Sequence, residues 1–234
     1  MRKAELINNA YSVNTANEMT DTLSNFSGVG LEIAAVVACW LNNGYIGENY
    51  ALKKILFSEM KGDPLSYVVE RKYLKDERCE LLSVCGIMTL GNFHSLMDKV
   101  WDAISFHGTV FYKFSDIMDN VKKYGCRYVH EALSMMFSGD TGFPTHCSTS
   151  PFYRLNLLYY TLAYNMNVWD RRYGDRFVLP MNDCIADKAY HTGITEERLK
   201  STLTSAVTLT EKARKWFGGD DFYKMYELLA FSEL

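Results

Sequence analysis

The sequence is short of proline, of paired cysteine motifs and of long apolar runs, and each shortage excludes a class of protein. Only four prolines occur in 234 residues, Pro64, Pro144, Pro151 and Pro180, so long stretches between them are free to be helical. Six cysteines, at 39, 79, 85, 126, 147 and 184, stand apart without a Cys-x-x-Cys pair. A small disulfide-stapled scaffold is excluded, and free thiols in a reducing compartment are expected. No run of 18 uninterrupted apolar residues exists, which removes a membrane span. The first ten residues carry Arg2, Lys3 and Glu5 among few apolar side chains, so they do not form a signal-peptide core, and the expected location is the cytoplasm. A large positive charge is missing too. The net charge of −3 argues against a protein that simply coats nucleic acid, which relies on many phosphate-neutralising lysines and arginines.

What is present is the balance of an ordinary globular chain, 48% apolar and 23% charged, long enough for one domain or two interleaved lobes. Charge is unevenly placed. Residues 150–217 hold 10 Lys/Arg against 7 Asp/Glu, whereas 1–149 hold 14 against 17 and 218–234 hold 1 against 4. A solvated helical surface is the plain reading of so small an excess.

The apolar pattern is helical throughout. Leu31 to Leu41 is apolar on nearly every side, so it reads as the central core helix, stopped at Asn42-Asn43-Gly44. Glu48 to Met60 carries one stripe through Ala51, Leu52, Ile55 and Leu56, and Asp63-Pro64 opens a helix to about Lys72 as cap and first residue. Three- and four-residue steps through Leu81/Leu82/Cys85, Leu96/Val100/Ile104, Ile117/Val121 and Val129/Leu133/Met136 predict four more helices. A Gly-, Pro- and Ser/Thr-rich loop follows over Asp140–Pro151. Helices are then expected over Phe152–Tyr164, from Asn182-Asp183 to Gly193, over Thr195–Phe217 with an interruption near Thr204, and over Asp220–Leu234. No β-alternating run and no internal repeat is found, so the fold class is all-α.

Three segments carry a resemblance. FVLPMNDCIADKAYHTGI, Phe177 to Ile194, resembles the stretch of endonuclease III-type DNA glycosylases in which a short apolar run leads into an Asp-Thr-His-hydrophobic helix start and ends at Leu-Gly-Leu. Ser150–Tyr164 resembles the second helix of that family's hairpin, and Gly30–Leu52 resembles the helix pair opening its six-helix lobe. The three together resemble the helix-hairpin-helix DNA glycosylase superfamily, and within it an uncharacterised bacterial branch with a Ser/Cys-rich loop in place of the hairpin glycines. The resemblance implies a two-lobed helical bundle with an inter-lobe cleft, 28–166 forming one lobe and 1–27 with 167–234 the other. It also implies DNA, or a modified base flipped out of it, as the partner, with a role in base excision repair or DNA modification.

Against that pattern the catalytic groups depart. The family's carboxylate, which stabilises the cationic sugar, falls at Asn182, with Asp183 next to it as the substitute; the family's hairpin lysine falls at Tyr153 or Arg154. Asn is neutral, and Arg stays protonated and cannot form an imine. Asn182 and Asp183 equally suit a helix N-cap, and Arg154 an ion pair or a bidentate phosphate contact. Asn42 and Asn43 would lie near the family's base-wedging loop, or simply end a helix. No cofactor is implied, because the family's iron–sulfur cluster needs four closely spaced cysteines near the carboxyl terminus and none follows Cys184. Cys126 and His130, four apart, with His146 and Cys147, fit no common zinc spacing, so no metal is expected. Three functions stay open: a glycosylase-like binder of DNA or a modified nucleobase, an enzyme remodelling modified thymines in DNA, and a non-enzymatic helical interaction module.

Overall fold

The computed structural model of the chain describes residues 3–14, 17–42, 48–75, 89–143 and 152–232. Every regular element among them is a helix, as the apolar periodicity predicts. The first group is α1 (Lys3–Ser12), α2 (Glu18–Leu23), α3 (Gly28–Leu41) and α4 (Glu48–Lys53), which runs on as a π turn over Lys54–Glu59. Next come α5 (Pro64–Val69), a 3₁₀ turn over Lys72–Lys75, α6 (Leu90–His107), α7 (Val110–Asp119), α8 (Val121–Tyr124) and α9 (Val129–Met136). The chain continues with α10 (Tyr153–Tyr159) and a second π turn over Tyr160–Asn165, then a 3₁₀ stretch over Arg171–Arg176. It closes with α11 (Asp183–His191), α12 (Leu203–Phe217), a 3₁₀ turn over Gly219–Asp221 and α13 (Lys224–Phe231).

α3 occupies the centre because it has no polar face to offer water. Every residue from Leu31 to Leu41 is buried, and α2, α4, α5, α7 and α10 enclose the helix. Burial of each large side chain there is worth about 1.5–3 kcal/mol relative to exposure. Trp40, fully buried, packs on Phe93 and donates its indole N–H to Thr141 O at 2.6 Å, anchoring the chain after α9 to the far end of α3.

The helix starts are chemically marked. Asp63 Oδ1 accepts from Ser66 N at 3.0 Å with Pro64 as first residue of α5. Thr89 and Asn92 close a reciprocal capping box at α6, and Thr109 and Thr202 cap α7 and α12.

Several expected helices differ in extent: α5 stops at Val69 rather than near Lys72, α13 starts at Lys224 rather than Asp220, and two others differ more. The Ile117/Val121 pattern is broken at Asn120, whose side-chain N–H groups donate back to Asp116 O at 2.8 Å and Oδ1 at 2.9 Å, ending α7 and leaving α8 as one short turn. The helix predicted from Thr195 begins only at Leu203. In the irregular segment before it, exposed Arg198 reaches α11 and holds Asp187 through two hydrogen bonds at 2.6 and 2.8 Å. The Leu81/Leu82/Cys85 pattern and residues 144–151 of the loop lie outside the described residues.

Packing divides the helices into two groups joined by one apolar core. α3 through α10 pack on one another, while α1, α11 and α12 all pack on α13; α2 lies against α3 and α4. The seam between the groups is aromatic: Tyr164 stacks on Tyr223 with centroids 4.6 Å apart, Tyr160 meets Tyr226 at 4.6 Å, and Phe177 lies between Tyr159 and Phe222. No helix among the described residues is long and apolar enough to cross a membrane.

Candidate functional site

The leading end of α10 is set by an aromatic stack. Phe152, the residue before the helix, takes a left-handed φ of 52°, uncommon for an aromatic side chain. Its ring stacks on His130 at 4.7 Å, and His130 in turn stacks on Tyr128 at 5.6 Å. Burial pushes the His130 imidazole down to about 4, and its Nδ1 has no hydrogen-bond partner among the described residues. The ring is therefore neutral at ordinary pH.

From this start the next residues point in different directions. Arg154 donates from Nε to Asn42 O at 3.0 Å and from Nη1 to Gly142 O at 3.4 Å, placing a cation at the carboxyl end of α3 where helix carbonyls are left over. Two residues expected to contact nucleic acid, Asn42 and Arg154, are thus brought together across 112 positions, through the backbone of one and the side chain of the other. Tyr153 faces α13 and interacts with Tyr226, whose phenol burial holds well above its usual range, with Tyr153 and Tyr160 adding to the rise. Asn43 lies outside the described residues.

The start of α11 is held by α12. Phe177 to Met181 are all buried, Leu179 N donates to Thr210 Oγ1 at 3.0 Å, and Arg214 donates to Gly174 O and Phe177 O at 2.7 and 2.9 Å. Asn182 follows in extended backbone and its side-chain oxygen accepts from Ile185 N at 2.9 Å, an N-cap. Asp183, first residue of the helix, is exposed to solvent. Gly193, with φ of 74°, turns the chain just beyond the helix end.

Between α10 and α13 lies a set of buried polar groups that sequence reasoning missed. Glu227, 3% exposed, accepts from Tyr160 Oη at 3.0 Å and pairs with Lys224 Nζ at 2.6 Å. Burial, then the nearby Glu227 carboxylate, raises the Tyr160 phenol far above its ordinary range. Asn156 lies one helical turn before Tyr160 on the same side of α10; it has no exposed surface, and neither its amide oxygen nor its nitrogen has a partner among the described residues. The available signal was a charge inside an apolar helix pattern: Glu227 sits among Met225, Tyr226, Leu228 and Leu229, as Glu32 sits inside Leu31–Leu41.

Chemically, Asn182 is neutral and engaged as a cap, so it is no base, and the Asp183 carboxylate is solvated. Among the described residues no three His, Cys, Asp or Glu side chains converge as metal ligands, and His146 and Cys147 lie outside them. Burial pushes the Cys39 thiol up to about 12, so it is no thiolate nucleophile. Compared with known proteins, the chain matches no protein-family model, no curated protein and no solved structure.

Proposed function

We propose that this protein is a DNA-glycosylase-like binder of DNA or of a modified nucleobase, acting without glycosidic bond cleavage, with Arg154 and Asn42 on the nucleic-acid side and Asn182 and Asp183 at the base. The observation that carries this reading is the state of Asn182. Its oxygen caps α11 through Ile185 N, so a neutral, occupied amide takes the position to which the resemblance assigns the carboxylate that supports glycosidic bond cleavage. Helix boundaries add support, since α3, α10 and α11 fall on the three segments that carry the resemblance. The two packing groups are read as the two lobes, with α2 leaning on the first.

The test is binding of fluorescently labelled duplexes, one plain and one carrying an abasic or modified nucleotide, over a range of salt. Preferential binding of the modified duplex, weakening as salt rises and with no base released, is expected. Equal and negligible binding of both at low salt removes the proposal, and release of free base would contradict its non-cleaving form.

A further inference from the structure

Away from α10 and α11, a cleft of about 390 Å³ opens between the end of the first π turn and the 3₁₀ turn at Lys72–Lys75. Its size falls within the roughly 300–1,000 Å³ of ordinary small-molecule sites. Met60 and Tyr67, 2% and 3% exposed, give it an apolar base. Lys61, Lys72 and Lys75 stand around it together with the carboxylates of Glu59 and Asp63.

The charge here runs against that of the chain. From Lys53 to Lys75 there are six basic residues against three acidic, in a protein of net charge −3. The rim is also held in shape. Lys61 has φ of 53° and Arg71 φ of 51°, left-handed conformations uncommon outside glycine, and they flank the α5 segment from both ends. Hydrogen bonds from Gly62 N to Leu56 O and from Asp63 N to Met60 O, both 2.9 Å, fix the turn that presents Lys61. Lys72 is positioned by Ser66 Oγ at 2.8 Å and Glu70 Oε2 at 3.2 Å, while Arg71 lies over the Trp101 ring at 3.8 Å. Lys61 makes no ion pair among the described residues.

Among the groups that line the cleft three ammoniums outnumber two carboxylates, and a neutral apolar ligand would offer none of them a partner. The ammoniums suit a phosphate, which lysine binds as a point charge. The two carboxylates suit hydroxyl or amino donors on the same molecule, and Asp63 keeps one oxygen beyond the one that caps Ser66 N. We infer that this cleft binds a phosphate-bearing molecule that also carries hydroxyl or amino donors, a nucleoside monophosphate being the simplest example, with Lys61, Lys72 and Lys75 on the phosphate and Glu59 and Asp63 on the donors. The inference is independent of the reading of α10 and α11.

Calorimetric titration of the full chain with adenosine monophosphate, adenosine and inorganic phosphate tests it, alongside the Lys61→Ala/Lys75→Ala variant and its Lys61→Arg/Lys75→Arg counterpart. Both positions are exposed, so folding should be spared. Adenosine monophosphate should bind more tightly than either fragment, weaken with salt, and lose about tenfold or more in the alanine variant while the arginine variant keeps most of the affinity. Competition by a single-stranded oligonucleotide that disappears in the same alanine variant also supports the site and identifies a nucleic-acid backbone as its phosphate source. Equal affinity for adenosine and its monophosphate, undiminished binding in the alanine variant, or no binding of any phosphate compound overturns it.

Discussion

Two buried polar side chains on the packed pair α3 and α10 meet opposite fates. Glu32 accepts from Val110 N at 2.8 Å through one carboxylate oxygen and from Trp169 Nε1 at 3.0 Å through the other, so it closes the first turn of α7 and ties in the chain beyond α10. Burial still raises its carboxyl above the usual range, with those donors pulling the other way. Asn156 is equally enclosed, and its side chain bonds to nothing among the described residues. A partnered buried group links elements distant in sequence; an orphaned one costs about 1–3 kcal/mol and constrains nothing. The first is a structural fastening, and the second marks a place where the free protein is less stable than its packing allows.

Glu32 should show the largest effect. Glu32→Ala would strand a helix N-terminal donor and an indole N–H in the core, and should lower unfolding stability by about 3–5 kcal/mol in urea titrations; a loss under about 1 kcal/mol would show that the carboxylate fastens little. His130, the other orphan beside α10, gives the next effect. Its folded value of about 4 lies below an ordinary 6.5, so the stability it contributes is complete above pH 6.5 and is lost as pH falls toward 4, by about 3 kcal/mol in total. Glu32 acts in the opposite sense, since a carboxyl raised in the folded state takes up its proton first there. His130→Phe should therefore flatten the acid-side fall in midpoint, and an unchanged slope would remove His130 as its source. Asn156→Leu should stabilise by about 1–2 kcal/mol, because it exchanges an unpaired amide for apolar volume; destabilisation of that size would mean that the amide has a partner after all. The smallest effect is expected between the two extremes, at half-buried Asn182. There Asn182→Ala should cost about 1 kcal/mol by loss of the cap, and Asn182→Asp close to nothing, by thermal melts.

How far the sequence could be read follows the same division. Leu31–Leu41 announces a central helix because a surface apolar but for Glu32 has only one place to go, and Asp63-Pro64 and Asn182 announce helix starts because capping is local chemistry. Residues 195–202 read as helix in the sequence but are irregular, and the contact Arg198 makes with Asp187 on another helix could not be read locally. The candidate site was legible only in part for the same reason. That Asn42 and Arg154 meet across 112 positions is encoded by no local pattern, and although a charge inside an apolar helix pattern marks Glu227 as buried, its partner Tyr160 lies on another helix and cannot be read locally.

The two π turns have a consequence for chain length. Each closes on a five-residue hydrogen bond, Met60 N to Ile55 O at 2.9 Å and Met166 N to Thr161 O at 2.7 Å, and so spends one residue more than an α turn does. That extra residue rotates everything after it by about 100° around the axis. Excising a single residue from Tyr160–Asn165 would restore the common repeat yet swing the Tyr164 ring away from Phe177, Phe222 and Tyr223. A deletion that a surface loop would absorb unnoticed would here uncouple the carboxyl-terminal helices from the rest.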